Sequence, residues 1–354
     1  MFRNFRQSRI RVFAAYGSAL HACLIGALVA LGLAGCAHQT GTGPLIVASQ
    51  GSFFVGGRNV QSDTLSVLPQ YAAAGTIAVD QMYVRYQVPV NPSRRPITLI
   101  HGCCLTGKTW ETTPDGRMGW DEYFLRAGHP VYVVDQVWRG RSAGNPSVIN
   151  SARLGKTPAA QLPPVFSASQ ESAWAIFRFG PEFPKTFSGM QFPLEALPEF
   201  WKQMVPDWAP TLPTPNPTVA ALSELAVKLD GTVLMSHSQS GIYPFQVAAL
   251  NTRGIAAIVS IEPGACPAPT DDLTPYLKMP ILVLWGDYVD LAPRWAPRLK
   301  LCRAFAEAAN RAGGKVENVV LPEIGKRGNS HMLMQDRNSL EIADWLLAWI
   351  ARNQ

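Results

Sequence analysis

No uninterrupted apolar stretch of this 354-residue chain reaches the ~20 residues that a membrane-spanning helix needs. The run Ala22 to Ala34 carries no charge but stops short of that length, which argues against a permanent transmembrane anchor. Histidine is scarce, with six in all, and none stands in a ligand pattern beside the six cysteines, no pair of which has zinc-finger spacing. A metal centre is therefore not expected. Internal repeats are missing too, so a solenoid or propeller is excluded. The basic excess is thin: of 31 Lys and Arg against 25 Asp and Glu, Arg3, Arg6, Arg9 and Arg11 all precede the apolar run. Without that leader the balance is 27 to 25, or +2, and nothing calls for a nucleic-acid partner.

What is present begins with the leader. Four arginines followed by a short apolar run read as an export signal. The run ends in Leu33-Ala34-Gly35-Cys36, which resembles a bacterial lipobox. On that reading residues 1–35 are a lipoprotein-type signal peptide, and Cys36 is lipidated and becomes the mature N-terminus. Ala37, in place of Asp, resembles outer-membrane sorting. The expected location is the periplasm or the outer membrane, with the membrane as a partner through Cys36; the alternative is a plain signal peptide cleaved slightly later. The remaining 319 residues and a hydrophobic content of 47% over the whole chain suit one large α/β domain with an insertion. Cys103, Cys104, Cys266 and Cys302 would then lie in a disulfide-permissive compartment, where two disulfides are expected.

The apolar runs set the organisation. Val47 to Arg58 and Gly75 to Val88 read as early antiparallel strands. Pro96 to Ile100, Val131 to Val134, Thr232 to Met235, Ile255 to Ile261, Ile281 to Trp285 and Val316 to Leu321 are short continuous apolar runs of the kind buried in a parallel sheet. Helices are predicted over Met118 to Ala127, Val219 to Leu229, Gln239 to Leu250, Pro297 to Ala312 and Glu341 to Ala351. Strand alternating with helix predicts a mostly parallel, doubly wound sheet. From about Asn150 to Pro217 there is no strand signal, prolines are frequent and aromatics cluster. A loop of that length is uncommon in a compact domain, so 150–217 reads as an inserted cap of two or three short helices, with 36–149 and 218–354 as the core. The cap would bury its own aromatics, roof an apolar substrate pocket, or do both.

Two constellations carry chemistry. The first is Thr232 to Gly241, an apolar run that ends in Ser236-His237-Ser238-Gln239-Ser240-Gly241 ahead of a helix-compatible stretch. This is the pattern of a nucleophile elbow, G-x-S-x-G with both glycines replaced by serine, and it presents Ser238. A serine-rich turn that only caps a helix is the plainer alternative. The second is His101-Gly102-Cys103-Cys104-Leu105-Thr106-Gly107, which follows a predicted strand. Acyl transfer needs two backbone N–H groups aimed at the developing oxyanion; Gln239 would give one, and Cys103 or Cys104 the other. Among the histidines His331, after the last strand, is left as the base once those in the leader, at the mature N-terminus, in the turn at His129, before the oxyanion loop and beside the elbow are set aside. The acid has open alternatives: Glu262 after the sixth strand, or Asp287 and Asp290 after the seventh.

Together with Thr109-Trp110-Glu111 and Met118-Gly119-Trp120, the stretches His101 to Gly107 and Ser236 to Gly241 resemble a small branch of bacterial α/β-hydrolase serine esterases marked by a vicinal cysteine pair at the oxyanion hole. The resemblance implies an α/β-hydrolase fold with an inserted helical cap, a Cys103–Cys104 disulfide that leaves Cys266 to pair with Cys302, and Glu262 as the acid. It further implies hydrolysis of a small-molecule carboxylic ester by Ser238, His331 and Glu262 through an acyl-enzyme, without a cofactor. An amidase or polyester depolymerase on the same triad is the alternative among enzymes. A non-catalytic hydrolase-fold lipoprotein is the alternative outside them, although such a chain would be expected to lose its nucleophile, base or oxyanion loop first.

Overall fold

The computed structural model describes residues 43–208 and 212–353. The expected signal peptide and Cys36 lie outside the described residues. Eight strands among those described form one sheet: β1 (Val47–Ser62), β2 (Gly75–Pro89), β3 (Ile97–Ile100), β4 (Val131–Asp135), β5 (Thr232–His237), β6 (Ile255–Ile261), β7 (Pro280–Trp285) and β8 (Lys315–Val320). Their order is β1-β2-β4-β3-β5-β6-β7-β8. β2 is antiparallel to both β1 and β4, and from β4 through β8 every pairing is parallel.

The helices are α1 (Trp120–Arg126), α2 (Ser147–Arg153), α3 (Gln170–Ile176), α4 (Leu197–Lys202), α5 (Pro217–Leu229), α6 (Tyr243–Leu250), α7 (Ala296–Arg311) and α8 (Ser339–Arg352). Side-chain alternation along the central strands divides the core between the two faces of the sheet. Ile97, Leu99, Val131, Val133, Val233 and Met235 pack with Trp120 and Phe124 of α1 and Leu346 and Trp349 of α8. Ile100, Val134 and Leu234 pack on the other side with Leu222 and Leu225 of α5 and Val247 of α6. Each such side chain contributes roughly 1.5–3 kcal/mol by leaving water, and residues buried on both faces of a sheet explain why these strands read as continuous apolar runs.

Two boundaries differ most from the sequence expectation. β1 runs on from Arg58 to Ser62, paired to Gly75; as an edge strand it exposes most of its side chains, so its polar end carried no burial signal. The helix expected from Gln239 begins at Tyr243, preceded by a 3-10 turn over Ser238–Ile242. Pro244 has no N–H to give to Ser240, and the regular helix can start only where that N–H is not needed.

Between β4 and α5 the described chain carries α2, α3 and α4 with single 3-10 turns at Ala159–Gln161 and Leu194–Ala196. The first of these helices begins three residues ahead of Asn150. Phe177, Phe179, Phe192 and Phe200 form a buried cluster with ring centroids 4.4–5.5 Å apart along its main contacts. The loops that follow β3, β5, β6, β7 and β8 all leave the carboxyl edge of the sheet, where ligands of open α/β sheets bind.

Candidate active site

β5 ends at His237, and Ser238 then takes φ 58°, a left-handed conformation that serine seldom adopts and that costs roughly 1–3 kcal/mol to hold. The turn is locked by Ser240. Its fully buried hydroxyl accepts the His237 N–H at 3.2 Å and has one proton for the carbonyl of Ile100, at 3.1 Å, or of His237, at 3.0 Å. The serine that replaces the second motif glycine therefore fits and adds a clamp. Space is also tight at Gly102: a Cβ there would stand 2.8 Å from Ser238 Cβ and 3.0 Å from His237 Nδ1, so the loop after β3 can lie against Ser238 only with glycine at that position.

Glu262 follows β6 at φ 53° and is completely buried. Its Oε2 lies 2.9 Å from His331 Nδ1, in the loop after β8. His331 is buried as well, held by its N–H to Phe177 O at 3.0 Å, by stacking on Trp295 with centroids 4.1 Å apart, and by the Nε2 of His237, 2.9 Å from the His331 carbonyl. The Gly264 N–H donates to Ser238 O at 2.7 Å, which ties the Glu262 loop to the elbow. Of the alternatives, Asp290 is exposed. Asp287 accepts the N–H groups of Tyr288 and Gly328, at 2.7 and 2.8 Å, and thus braces the loops instead of meeting the histidine.

A residue absent from the sequence expectations completes this cluster. Arg178, just after α3, is fully buried and grips Glu262 with both terminal nitrogens, Nη1 to Oε2 and Nη2 to Oε1, each at 2.5 Å. Its Nε donates to Asp287 O at 3.0 Å. Burial alone would push the Glu262 carboxyl up, but the charge and hydrogen bonds of Arg178, with help from His331, hold it down at about 2. Burial lowers His331 to about 4, against the pull of Glu262 and with the push of Arg178 and Arg294. At neutral pH the pair is an ionised carboxylate beside a neutral imidazole, whose Nδ1–H is directed at that carboxylate.

The loop after β3 is shaped by a second histidine and a second buried ion pair. His101 Nε2 accepts the Gln136 N–H at 3.0 Å while Nδ1 faces Gly102 O at 2.9 Å; burial lowers it to about 4, so it is a neutral structural ring. Cys104 adopts φ 60°, and its carbonyl accepts the Val205 N–H at 2.8 Å. Asp207 and Arg139, each almost wholly buried, form an ion pair. Arg139 Nη1 reaches the carbonyls of Gly102 and Leu105 at 3.4 and 3.3 Å, and Asp207 Oδ2 accepts Gln239 Nε2 at 2.8 Å.

Cys103 and Cys104 stand as two thiols, in contrast to the disulfide that the resemblance implies. Closing a ring between neighbours strains it, and here the two sulfurs are not bonded to each other. Each thiol acts on the other, raising Cys103 and lowering Cys104, with burial raising both. Their sulfurs and an Asp207 oxygen lie within 4.8 Å of one another, but Arg139 and Gln239 already engage that carboxylate, which is poorly suited to a cation as well. Cys266 and Cys302 are bonded, with Cα atoms 5.2 Å apart. The link closes a 36-residue loop around β7, worth about 4 kcal/mol by the chain-entropy relation. A cavity of about 220 Å³ between Trp138 and Trp208 has none of Ser238, Glu262 or His331 in its lining.

No protein-family profile matches the chain. Among solved structures, a bacterial esterase is 64% identical and superposes with a TM-score of 0.87 over 89% of this chain and 98% of its own. The chain belongs to the α/β-hydrolase superfamily. It is also 27% identical to the probable secreted lipase phiG of a fungal species, over 77% of this chain and 86% of that protein. In this hydrolase the sequence expectations Ser238, Gln239, Cys103, Cys104, Glu262 and His331 all fall on loops at one edge of the sheet. Arg178, Asp207, Arg139 and Trp295 were missed, and no motif announces any of them: each acts through burial and a partner more than 30 residues away in the chain.

Proposed function

We propose that this α/β hydrolase is an exported serine esterase that cleaves small-molecule carboxylic esters through an acyl-enzyme. The observation that carries the reading is the His331–Glu262 contact at 2.9 Å, on a loop tied by the Gly264 N–H to the carbonyl of the elbow serine, against which Gly102 brings the loop after β3. His331 Nε2 takes the Ser238 proton as the hydroxyl attacks the ester carbonyl, while Glu262 holds the ring and stabilises the imidazolium. The tetrahedral oxyanion is received by the N–H of Gln239 and that of Cys103 or Cys104. His331 protonates the leaving alcohol, and water repeats the sequence to free Ser238. No cofactor enters the scheme, and no nucleic acid is a partner.

Two relatives support the substrate class, one described as an esterase and the other as a probable lipase. The second is described as secreted, which favours export; residues 1–35 as a signal peptide and Cys36 as a lipid-anchored N-terminus in the periplasm or outer membrane rest on the leader sequence alone. No helix among the described residues is long and apolar enough to cross a membrane. In this reading residues 150–217 act as a cap on the core, a role that its contacts with the loops of Cys104, Gly328 and His331 favour. The purified protein should hydrolyse p-nitrophenyl esters and be labelled by a fluorophosphonate, and Ser238→Ala should lower kcat by at least ~10³-fold and end labelling while the thermal transition stays within a few degrees. Hydrolysis reduced less than tenfold in that variant refutes the nucleophile.

A further inference from the structure

Resting on the esterase reading, we infer that Arg178 is a positioning residue: it clamps Glu262 in plane and offsets its charge, and thereby sets the lowest pH at which His331 works as the base.

The geometry separates this arrangement from a carboxylate that serves a histidine alone. Glu262 Oε2 receives both Arg178 Nη1, at 2.5 Å, and His331 Nδ1, at 2.9 Å; Oε1 receives Arg178 Nη2, at 2.5 Å, and the Gly286 N–H. All directions in which the carboxylate accepts are thus used, and a bidentate guanidinium fixes its plane. Arg178 Nη1 is also 3.4 Å from His331 Nδ1. Two donors converge on one oxygen, so a permanent cation lies 3.4 Å from the imidazole, little farther than the carboxylate at 2.9 Å. In a site without solvent, a cation at that range disfavours imidazolium and cancels part of the carboxylate's pull.

The charges facing His331 come from several elements. Glu262 follows β6 and Arg178 follows α3. His237, at the end of β5, lies with its ring centroid 4.7 Å from that of His331 and is itself lowered to about 3 by burial and by His331. Arg294 precedes α7 and adds a second repulsive charge. Asp287, after β7, spends its carboxylate on Tyr288 and Gly328 N–H groups. Asp336, on the loop of His331 itself, is buried, pushed up to about 7 by that burial, and bonded to Asn329 and Ser330. Among these groups Glu262 is the one acid in contact with the ring, and Arg178 is the cation placed to offset it.

Burial of a full guanidinium is costly and is tolerated only with complete pairing. If Arg178 served merely as a spacer, a neutral donor would brace Glu262 equally well. The two roles separate in a pH series. His331 is followed by nuclear magnetic resonance, assigned by difference from His331→Ala, and in parallel kcat/KM for p-nitrophenyl acetate is measured from about pH 4 to pH 9. The wild-type ring should titrate well below the ordinary histidine value of ~6.5, and the acid limb of activity should follow it. In Arg178→Gln both should move up by about one pH unit or more, whereas Arg178→Lys, which keeps the charge but loses the fork, should leave the titration near that of the wild type and lower the activity plateau. A wild-type His331 that titrates at about 6.5 or above overturns the inference without any variant. So does an Arg178→Gln protein whose titration stays put while activity falls equally at all pH values. Because the titration needs no turnover, a wild type that cleaves no ester would sink the esterase reading and leave the Arg178 result legible.

Discussion

The strand ends and the segment of residues 150–217 both reach His331, and they contribute different things. From the strand ends come the groups that would react: Ser238 after β5, Glu262 after β6, His331 after β8, and the amides after β3. Three of these turns hold a non-glycine residue in the left-handed region, Cys104 at 60°, Ser238 at 58° and Glu262 at 53°, so the sheet spends stability to aim them. The segment offers counter-charges. Arg178 pairs with the acid of the sheet edge, and Asp207 pairs with its cation, Arg139. The core thus buries one charge of each sign at its active edge, and the segment brings the opposite charge to both. Lifting the segment away would leave an uncompensated carboxylate beside His331 and an uncompensated guanidinium beside Gln239, which couples its docking to the electrostatics of the site.

The sharpest way to break this comparison is at Glu262, where the two regions meet. Glu262→Gln should lower kcat by roughly 10²–10⁴-fold through loss of the charge behind His331. It should also strand Arg178 as an unpaired buried cation, which costs about 3–5 kcal/mol and shows as a lower melting temperature. Asp290→Asn, on an exposed side chain of the neighbouring loop, should leave both quantities within error. A larger kinetic loss in the Asp290 variant would move the acid to β7 and detach Arg178 from the chemistry.

This division also explains what was legible in the sequence. The sheet was visible because β3 to β7 are buried on both faces and therefore almost purely apolar. The elbow was visible because a strand that stops at small residues before a helix has few other uses. His331 followed by elimination among six histidines, and Glu262 entered through the resemblance, since spacing did not separate it from Asp290. Arg178 and Asp207 were hidden for a physical reason. An ion pair between residues 178 and 262, or 139 and 207, leaves no periodicity in the chain, and an arginine among aromatics looks the same whether it faces solvent or is buried. The Cys103–Cys104 bond rested on the resemblance alone, and the structure has two free cysteines instead. Cys266–Cys302 rested on the same resemblance and is formed.

At the second ion pair the expected effect is smaller in rate and comparable in stability. Asp207→Asn keeps the shape and removes the charge, so Arg139, 2% exposed, is left with the carbonyls of Gly102 and Leu105 and no anion. About 3–5 kcal/mol of stability should be lost. The contact to Gln239 weakens, and kcat should fall by about tenfold or less, since in the proposed scheme its backbone N–H and not its side chain receives the oxyanion. A thermal melt and steady-state kinetics on one preparation check both. Unchanged stability would mean that the segment is not held to the core by its charges, and the symmetry drawn above between Arg178 and Asp207 would fail.

The smallest expected effect lies wholly on the sheet side and tests whether the elbow carries its own support. Ser240 occupies the place of the second motif glycine, and its hydroxyl accepts the His237 N–H and donates to the carbonyl of Ile100 or of His237. In Ser240→Ala the side chain stays small, so the close passage of strand and helix is preserved, but the buried His237 N–H loses its acceptor. The cost of one unsatisfied buried donor is about 1–3 kcal/mol, and a melting temperature lower by several degrees would report it. The turn is also pinned by Gly264 N–H to Ser238 O and by the parallel register of β5 with β3 and β6. Ser238 should therefore keep its orientation, and kcat/KM should stay within about threefold of the wild type. If activity instead falls as far as in Glu262→Gln, the nucleophile is aimed by the Ser240 clamp more than by the sheet, and the strand end would depend on a single hydroxyl much as Glu262 depends on Arg178.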